Sequence, residues 1–235
     1  MNISRRTAMR LGGSAVAGLS LGTIKPNGLL ATQQQPQADG LSETKLREIV
    51  PLTLTPNGSA LEYTPKEAGT ISEPTLWRYT NNVTPATEFD YRKMRIKLDG
   101  RGTAKLSGTL TFKDLETLPH HSYVVLLQCG APNPRGVVKW TGVKFSDFAA
   151  MLGVQKFAHY CRIVGSDNYW VEEDMQTMMH PQVVLAWLLN DEPIPSKHGA
   201  PLRLIIPFRY GARSLKAITE IYFTSTSFPM PKLPG

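Results

Sequence analysis

Only two cysteines occur in the 235 residues, too few for the disulfide framework that holds together small exported domains. Cys129 and Cys161 stand 32 positions apart, with no Cys-x-x-Cys pair and no histidine at a zinc-type spacing, so a structural zinc site has no support. A disulfide between them stays open at this stage, and each is read by itself. Long apolar runs are missing as well: after Leu30 none approaches the roughly 18 residues of a spanning helix. There is no Lys/Arg block and no nucleic-acid motif, so the formal charge of +7 does not indicate a nucleic-acid partner. Four of the 26 basic residues (Arg5, Arg6, Arg10, Lys25) lie in a first segment without acidic residues; the rest of the chain has 22 basic against 19 acidic residues. That mild excess leaves room for a local anion pocket. With 19% charged and 41% hydrophobic residues, the chain is neither disordered nor membrane-embedded in composition.

Residues 1–31 divide into a basic start, MNISRRTAMR, an apolar and small stretch from Leu11 to Ile24, and a polar continuation. This is the layout of an export signal. Ser4-Arg5-Arg6 resembles the twin-arginine signal, with Ala8 where that motif usually has a large apolar residue. The twin-arginine route carries folded proteins, often loaded with a complex cofactor, so it favours a cofactor here and a periplasmic or other extracytoplasmic destination. The competing reading is an uncleaved amphipathic helix, because Leu29-Leu30-Ala31 is a poor cleavage site. Residues 32–75 are expected to be a linker and an irregular leading segment, with a Gln/Pro-rich part from Gln33 to Asp39. Residues 76–235 are expected to form a single folded domain, and about 200 residues past the leader suffice for a real core.

A short, marginal helix is predicted from Leu41 to Val50, ending at Pro51, and 51 to 90 lack a sustained period. Met94 to Leu98 alternates like a half-buried strand entering the Asp99-Gly100 turn. Thr109 to Leu118 reads as a strand followed by a helical turn, and Tyr123 to Leu127 as a buried strand. Val143 to Leu152 has helical spacing, with Gly153 where a C-cap belongs. Strands are predicted at Phe157 to Val164, Leu202 to Pro207 and Lys216 to Ser225, and His180 to Leu189 is another amphipathic stretch. Without regular βαβ units, the fold class is α+β, built on a mixed β-sheet with short helices and long loops.

Two places carry chemistry. Cys129 stands just past a buried strand, at the lip of the loop Gly130-Ala131-Pro132-Asn133-Pro134-Arg135-Gly136. It is either a buried structural thiol or, with Arg135 near, a thiolate of the kind a soft metal needs. The second place is the run from Lys197 to Lys216, where cations alternate with Gly and Pro around one strand. Such loops suit a cradle for a phosphorylated ligand, although a solvated basic face would have the same composition. His120 and His121 read as surface or hydrogen-bonded residues, Cys161 as core, and Trp77, Trp140, Trp170 and Trp187 as core or pocket wall.

The segment HGAPLRLIIPFRYGARSLKAI closely resembles the HG-x-P-x-R...P...G...x-x-K signature of the sulfite oxidase family. Upstream, a cysteine after a strand followed by Val138-Lys139-Trp140-Thr141-Gly142-Val143 matches its Cys...Trp-x-Gly-Val pattern. Asp174 to Pro181 and Val184 to Pro195 are similar to its A-M-x-P...L-A-x-x-x-N-x-x-P-x-P stretch, and the resemblance covers roughly 76 to 226.

The resemblance implies the fold of that catalytic domain, a molybdenum-molybdopterin cofactor, and oxygen-atom transfer to or from a small oxyanion or sulfoxide. It implies Cys129 as the metal's thiolate ligand, with His198, Arg203, Ser214 and Lys216 on the pterin or its phosphate. Asn81 and Asn82 fall on an earlier loop that closes on the cofactor. Tyr169 falls where sulfite-oxidising members place a tyrosine beside the metal, and Arg135 where a substrate oxyanion is bound. The loop CGAPNPRG differs from the sulfite-oxidising pattern Cys-x-Gly-Asn-x-Arg by an insertion, which puts sulfite itself in doubt. With no haem or iron-sulfur motif in the chain, electrons are expected to pass through a separate protein, a cytochrome or a quinone-linked membrane haem protein. The layout resembles the small periplasmic bacterial members, and lacking the larger relatives' C-terminal dimerisation domain the chain is expected to be a monomer. The rival readings are a non-catalytic exported protein that binds the cofactor or a phosphorylated ligand, and a cysteine-dependent hydrolase.

Overall fold

The computed structural model describes residues 49–73, 77, 80–81, 83–130 and 134–227, all within one unit, Arg47–Gly235. The leader, most of the helix predicted from Leu41, and Asn82 lie outside the described residues. Among the described residues, no helix is long and apolar enough to cross a membrane.

Two five-stranded sheets make up the fold of the described residues. In the first, β1 (Arg95–Asp99), β2 (Gly108–Thr111), β5 (Tyr160–Gly165), β6 (Trp170–Asp174) and β10 (Ile218–Thr224) lie in the order β2-β1-β10-β5-β6. The β1/β10 pair is parallel and the others antiparallel, so the sheet is mixed. The second contains β3 (His120–Gln128), β4 (Arg135–Lys144), β7 (Val184–Leu189), β8 (Glu192–Pro193) and β9 (Arg203–Ile205). Here β3 pairs with β4, β4 with β7, and both β8 and β9 with β7. Among the described residues, three short α-helices, α1 (Phe112–Glu116), α2 (Phe145–Met151) and α3 (Met175–Met178), complete the α+β arrangement.

Met94, Ile96 and Leu98 alternate with exposed Arg95 and Lys97, so β1 buries one face and wets the other. The predicted helix at Val143 begins later: the chain runs as β4 through Lys144, and α2 starts at Phe145. Val143 is held in the sheet by its pairing with Leu185 and His120. The amphipathic stretch ending at Leu189 becomes β7, five of its six residues fully buried, because neighbours flank both its edges and cores cover both its faces.

One core joins α2 and the first sheet through Phe145, Phe148, Ile163, Ile221 and Phe223. A second joins Val125, Leu127, Val138, Trp140, Ala186 and Ile205. Truncating a wholly buried Leu127 to Ala would cost about 3 kcal/mol. Part of the leading segment lies on this second core. Ala60 packs into it, Glu62 forms a bridge with Val125, and the Gln182 side chain brackets Ala60, accepting from its N–H at 2.9 Å and donating to its carbonyl at 3.0 Å.

Both cysteines are free thiols, which answers the pairing question. Cys161 is 1% exposed, and burial, with Glu172 and Glu173 nearby, pushes its thiol well above the ordinary range. His120 packs edge-on against Trp187 with ring centroids 5.0 Å apart, and His121 approaches Asp147 at 3.5 Å.

Candidate cofactor site

Strand β3 ends at Gln128, so Cys129 is carried by a rigid hairpin but released from its ladder; its N–H donates to the Pro134 carbonyl at 3.2 Å across the loop. The thiol is half-buried. Against it lies the 3-10 turn Gly211–Arg213: a Cβ placed on Gly211 would come 3.0 Å from the Cys129 sulfur. Every residue of that turn is tied. Ala212 accepts a hydrogen bond from the Tyr169 hydroxyl at 3.1 Å, Arg213 pairs with Glu173 and donates to the Glu172 carbonyl, and the following Ser214 accepts from the Ile206 N–H at 3.0 Å.

The basic cluster is built by the segment from His198 to Arg203 and the segment from Ser214 to Ile218, which run side by side. Ala217 N–H donates to the Gly199 carbonyl at 3.0 Å, Ile218 N–H to Leu202 at 2.9 Å, and Leu204 N–H to Leu215 at 2.9 Å. The approach needs glycine at 199: φ is +106°, and a Cβ there would meet the Cβ of Lys216 at 2.7 Å. Next to Lys216, Ala217 itself takes a left-handed φ of 49°, and the Ala200-Pro201 peptide is cis.

Three basic side chains meet here. Arg203 is 3% exposed and forms no ion pair among the described residues; its guanidinium lies over the Trp140 ring at 5.1 Å and donates to the His198 carbonyl at 2.7 Å. Burial pulls it down to about 10, against a small opposing pull from the Cys129 thiolate. Lys216 stands 3.8 Å above the Trp77 ring. Burial and then Arg203 lower it to about 7, while Asp167 and Cys129 act the other way. Burial, Arg203 and Lys216 hold His198 at about 4. Inside this cluster, His198 Nδ1, Arg203 Nε and Trp140 Nε1 are buried without a hydrogen-bond partner among the described residues. Such groups are costly unless something completes them.

What would complete them is an anion with several acceptor oxygens. Arg203 Nε and Trp140 Nε1 can only donate, and burial lowers all three basic groups, with neighbouring cations adding to it for His198 and Lys216. The phosphate of a pterin cofactor has that chemistry, and the half-buried Cys129 thiol close by is a soft metal ligand. The residues therefore fit a molybdopterin group: His198, Arg203, Lys216 and the Trp140 indole on the anionic part, Cys129 on the metal.

The other expected residues are distributed as follows. Ser214 is buried and holds the turn. Tyr169 reaches that turn from the end of a tight turn after β5. Asn81 is exposed in a turn with φ 50°, four residues past Trp77, on which Lys216 rests. Arg135 opens β4 opposite Gln128 and is exposed. Strand alternation puts it on the face opposite Gly136, Val138 and Trp140, so the structure does not bring it to the cluster. Trp77 and Trp140 were legible only as wall residues, and nothing in their sequence context announces a cation platform.

The family model of the oxidoreductase molybdopterin-binding domain matches residues 82–231. A putative protein-methionine-sulfoxide reductase subunit of Azospira oryzae is 29% identical over 142 residues, 60% of this chain and 53% of that protein. The mitochondrial sulfite oxidase of Rattus norvegicus is 30% identical over 174 residues, 61% of this chain and 31% of that protein. The chain thus spans about half or less of the length of these curated relatives. In fold it is similar to the sulfane dehydrogenase SoxCD of Paracoccus pantotrophus, with TM-score 0.55 and 21% identity over 87% of this chain and 60% of that one. With the Cys129 loop, the basic cluster and the two-sheet fold all inside the matched span, the chain belongs to the molybdopterin-binding oxidoreductase domain family, that of sulfite oxidase.

Proposed function

We propose that this chain is an exported molybdenum-cofactor enzyme that removes an oxygen atom from a sulfoxide-type substrate, with electrons supplied by a separate haem protein. The buried cationic cluster carries the reading, because its donors without partners among the described residues and its burial-depressed bases call for an anionic cofactor beside Cys129. When bound, the molybdenum centre supplies two-electron oxygen-atom transfer.

The chain's own residues bind and orient. Cys129 ligates the metal. Arg203 and Lys216, held against Trp140 and Trp77, neutralise the phosphate without side-chain freedom to lose. His198 is neutral at pH 7, since its imidazole titrates near 4, and can therefore offer one N–H and one lone pair to the pterin. Ser214 fixes the turn that faces the sulfur, and Asn81 closes the cofactor from the Trp77 side, with Asn82 assigned the same role by the family resemblance alone. Tyr169, whose hydroxyl donates to the Ala212 carbonyl of that turn, is the proposed proton donor.

A neutral S-oxide is favoured over sulfite. Arg135, the residue that would bind an oxyanion, is directed off the site's face, and Arg213 is already paired with Glu173. The relatives named as methionine-sulfoxide reductases point the same way. The export reading rests on the leader, and the electron partner on the absence of a haem or iron-sulfur motif in the sequence.

Protein purified from a host that makes the cofactor should oxidise a reduced dye when given methionine sulfoxide. Dye turnover with sulfite alone would reverse the direction, and turnover with neither substrate by a molybdenum-loaded protein would overturn the enzyme reading in favour of a binding protein.

A further inference from the structure

The segment Ile49–Val50–Pro51 lies upstream of every residue placed at the site above, yet it crosses the lip of the Cys129 loop. It is fastened at three points. Val50 N–H donates to the Gly130 carbonyl at 3.4 Å, the Tyr210 hydroxyl donates to the Val50 carbonyl at 3.0 Å, and the Gln128 side-chain amide donates to the Pro51 carbonyl at 2.7 Å. These anchors are the chain neighbours of the two residues that meet at the sulfur. Gln128 and Gly130 flank Cys129, and Tyr210 precedes Gly211. One anchor, Gln128, is only 3% exposed, so its bond to Pro51 is made where water does not compete well. Ile49 is 58% exposed, and its Cγ2 lies 3.4 Å from a Cβ position on Gly130, with the Tyr210 ring 4.0 Å from the same point.

We propose that Ile49–Pro51 is a strap that fixes the spacing between the Cys129 loop and the Gly211 turn, and that Ile49 is a specificity-determining residue forming an apolar rim at the sulfur's opening. The proposal rests on Cys129 being the ligand at the reacting centre. An exposed isoleucine alone would need no explanation; the reason lies in the three anchors, which tie the strap to both segments that meet at the sulfur. Widening that opening changes what reaches the sulfur. A hydrated anion passing Ile49, Val50 and Tyr210 gives up water with no charge to replace it, whereas a neutral S-oxide with an apolar substituent gives up less and gains contact with the rim. Tyr210 is the positioning residue: it acts through the Val50 carbonyl.

The test uses the full-length molybdenum-loaded protein and three variants, with an alkyl aryl sulfoxide and sulfite as probes. Ile49→Lys should lower kcat/KM for the sulfoxide relative to sulfite by about tenfold, at unchanged molybdenum content. Tyr210→Phe keeps the ring but frees the strap. It should raise KM for the sulfoxide about fivefold, with kcat within about twofold of wild type. Ile49→Ala should shift KM the same way.

A second readout needs no turnover. In the cofactor-free chain Cys161 is buried, so alkylation reports Cys129, and a bulky maleimide should react several-fold faster in Tyr210→Phe and Ile49→Ala than in wild type. Unchanged substrate ratios and alkylation rates in folded, molybdenum-containing variants would refute the strap alone. A wild type without molybdenum would refute the cofactor reading instead, and the alkylation rates would still decide the strap.

Discussion

The backbone of Gly211 lies against the sulfur of Cys129, close enough that an added Cβ would stand 3.0 Å from Sγ and 3.4 Å from the Gln128 carbonyl oxygen. The two residues are 82 positions apart and belong to different loops, so this contact locks the Cys129 loop to the turn that also carries Ala212 and Arg213. Gly211→Ala should push the thiol by a few tenths of an ångström. The expected result is a fall in kcat of about tenfold with the fold intact, read by steady-state kinetics beside circular dichroism. Wild-type kcat in that variant would show that the contact is slack.

Arg203 makes a prediction of opposite signs. In the cofactor-free chain its buried charge has no ion-pair partner among the described residues, so Arg203→Met should raise thermal stability by on the order of 2 kcal/mol. In the loaded protein the same variant should lose cofactor during dialysis. Destabilisation in both states would mean that the guanidinium's bond to His198 and its packing on Trp140 outweigh its desolvation.

The pH dependence follows from two depressed bases. A group with its folded pKa below its unfolded value destabilises the fold when protonated, and that penalty disappears as pH rises through the interval between the two values. For His198 the interval runs from about 4 to 6.5, and for Lys216 from about 7 to 10.5. The melting temperature of the cofactor-free chain should therefore climb from pH 7 to 9, and Lys216→Met should abolish most of that climb. A flat wild-type profile above pH 7 would place the Lys216 ammonium in water or against a stronger anionic partner.

Tyr169 donates to the Ala212 carbonyl from a half-buried position. Tyr169→Phe should reduce kcat between about tenfold and a hundredfold while leaving molybdenum content unchanged, because the hydroxyl is proposed to serve the reaction and not the cofactor. Loss of metal in step with activity would reassign Tyr169 as a brace for the turn.

How much of this was legible depended on whether a residue's role was local. Met94 to Leu98 and Tyr123 to Leu127 were readable because alternation and an apolar β-branched run report burial directly. Val184 to Leu189 was not, because a strand buried on both faces loses its alternation and takes on the apolar density of a helix. His198, Arg203 and Lys216 could be named from their motif. Their meeting with Trp77 and Trp140 could not, since those pairs join distant segments. Arg135 shows the reverse: its nearness to Cys129 in sequence suggested a shared pocket, and strand alternation turns it to the other face. The strap was hidden for the same reason, since Ile49 and Val50 in sequence merely close a marginal helix.

Metal analysis tests the central claim most directly. Full-length protein from a cofactor-producing host should carry about one molybdenum per chain, Cys161→Ala should keep it, and Cys129→Ala should lose it or release it readily. A folded wild type without molybdenum, or a Cys129→Ala protein that retains it as firmly as wild type, would contradict the account.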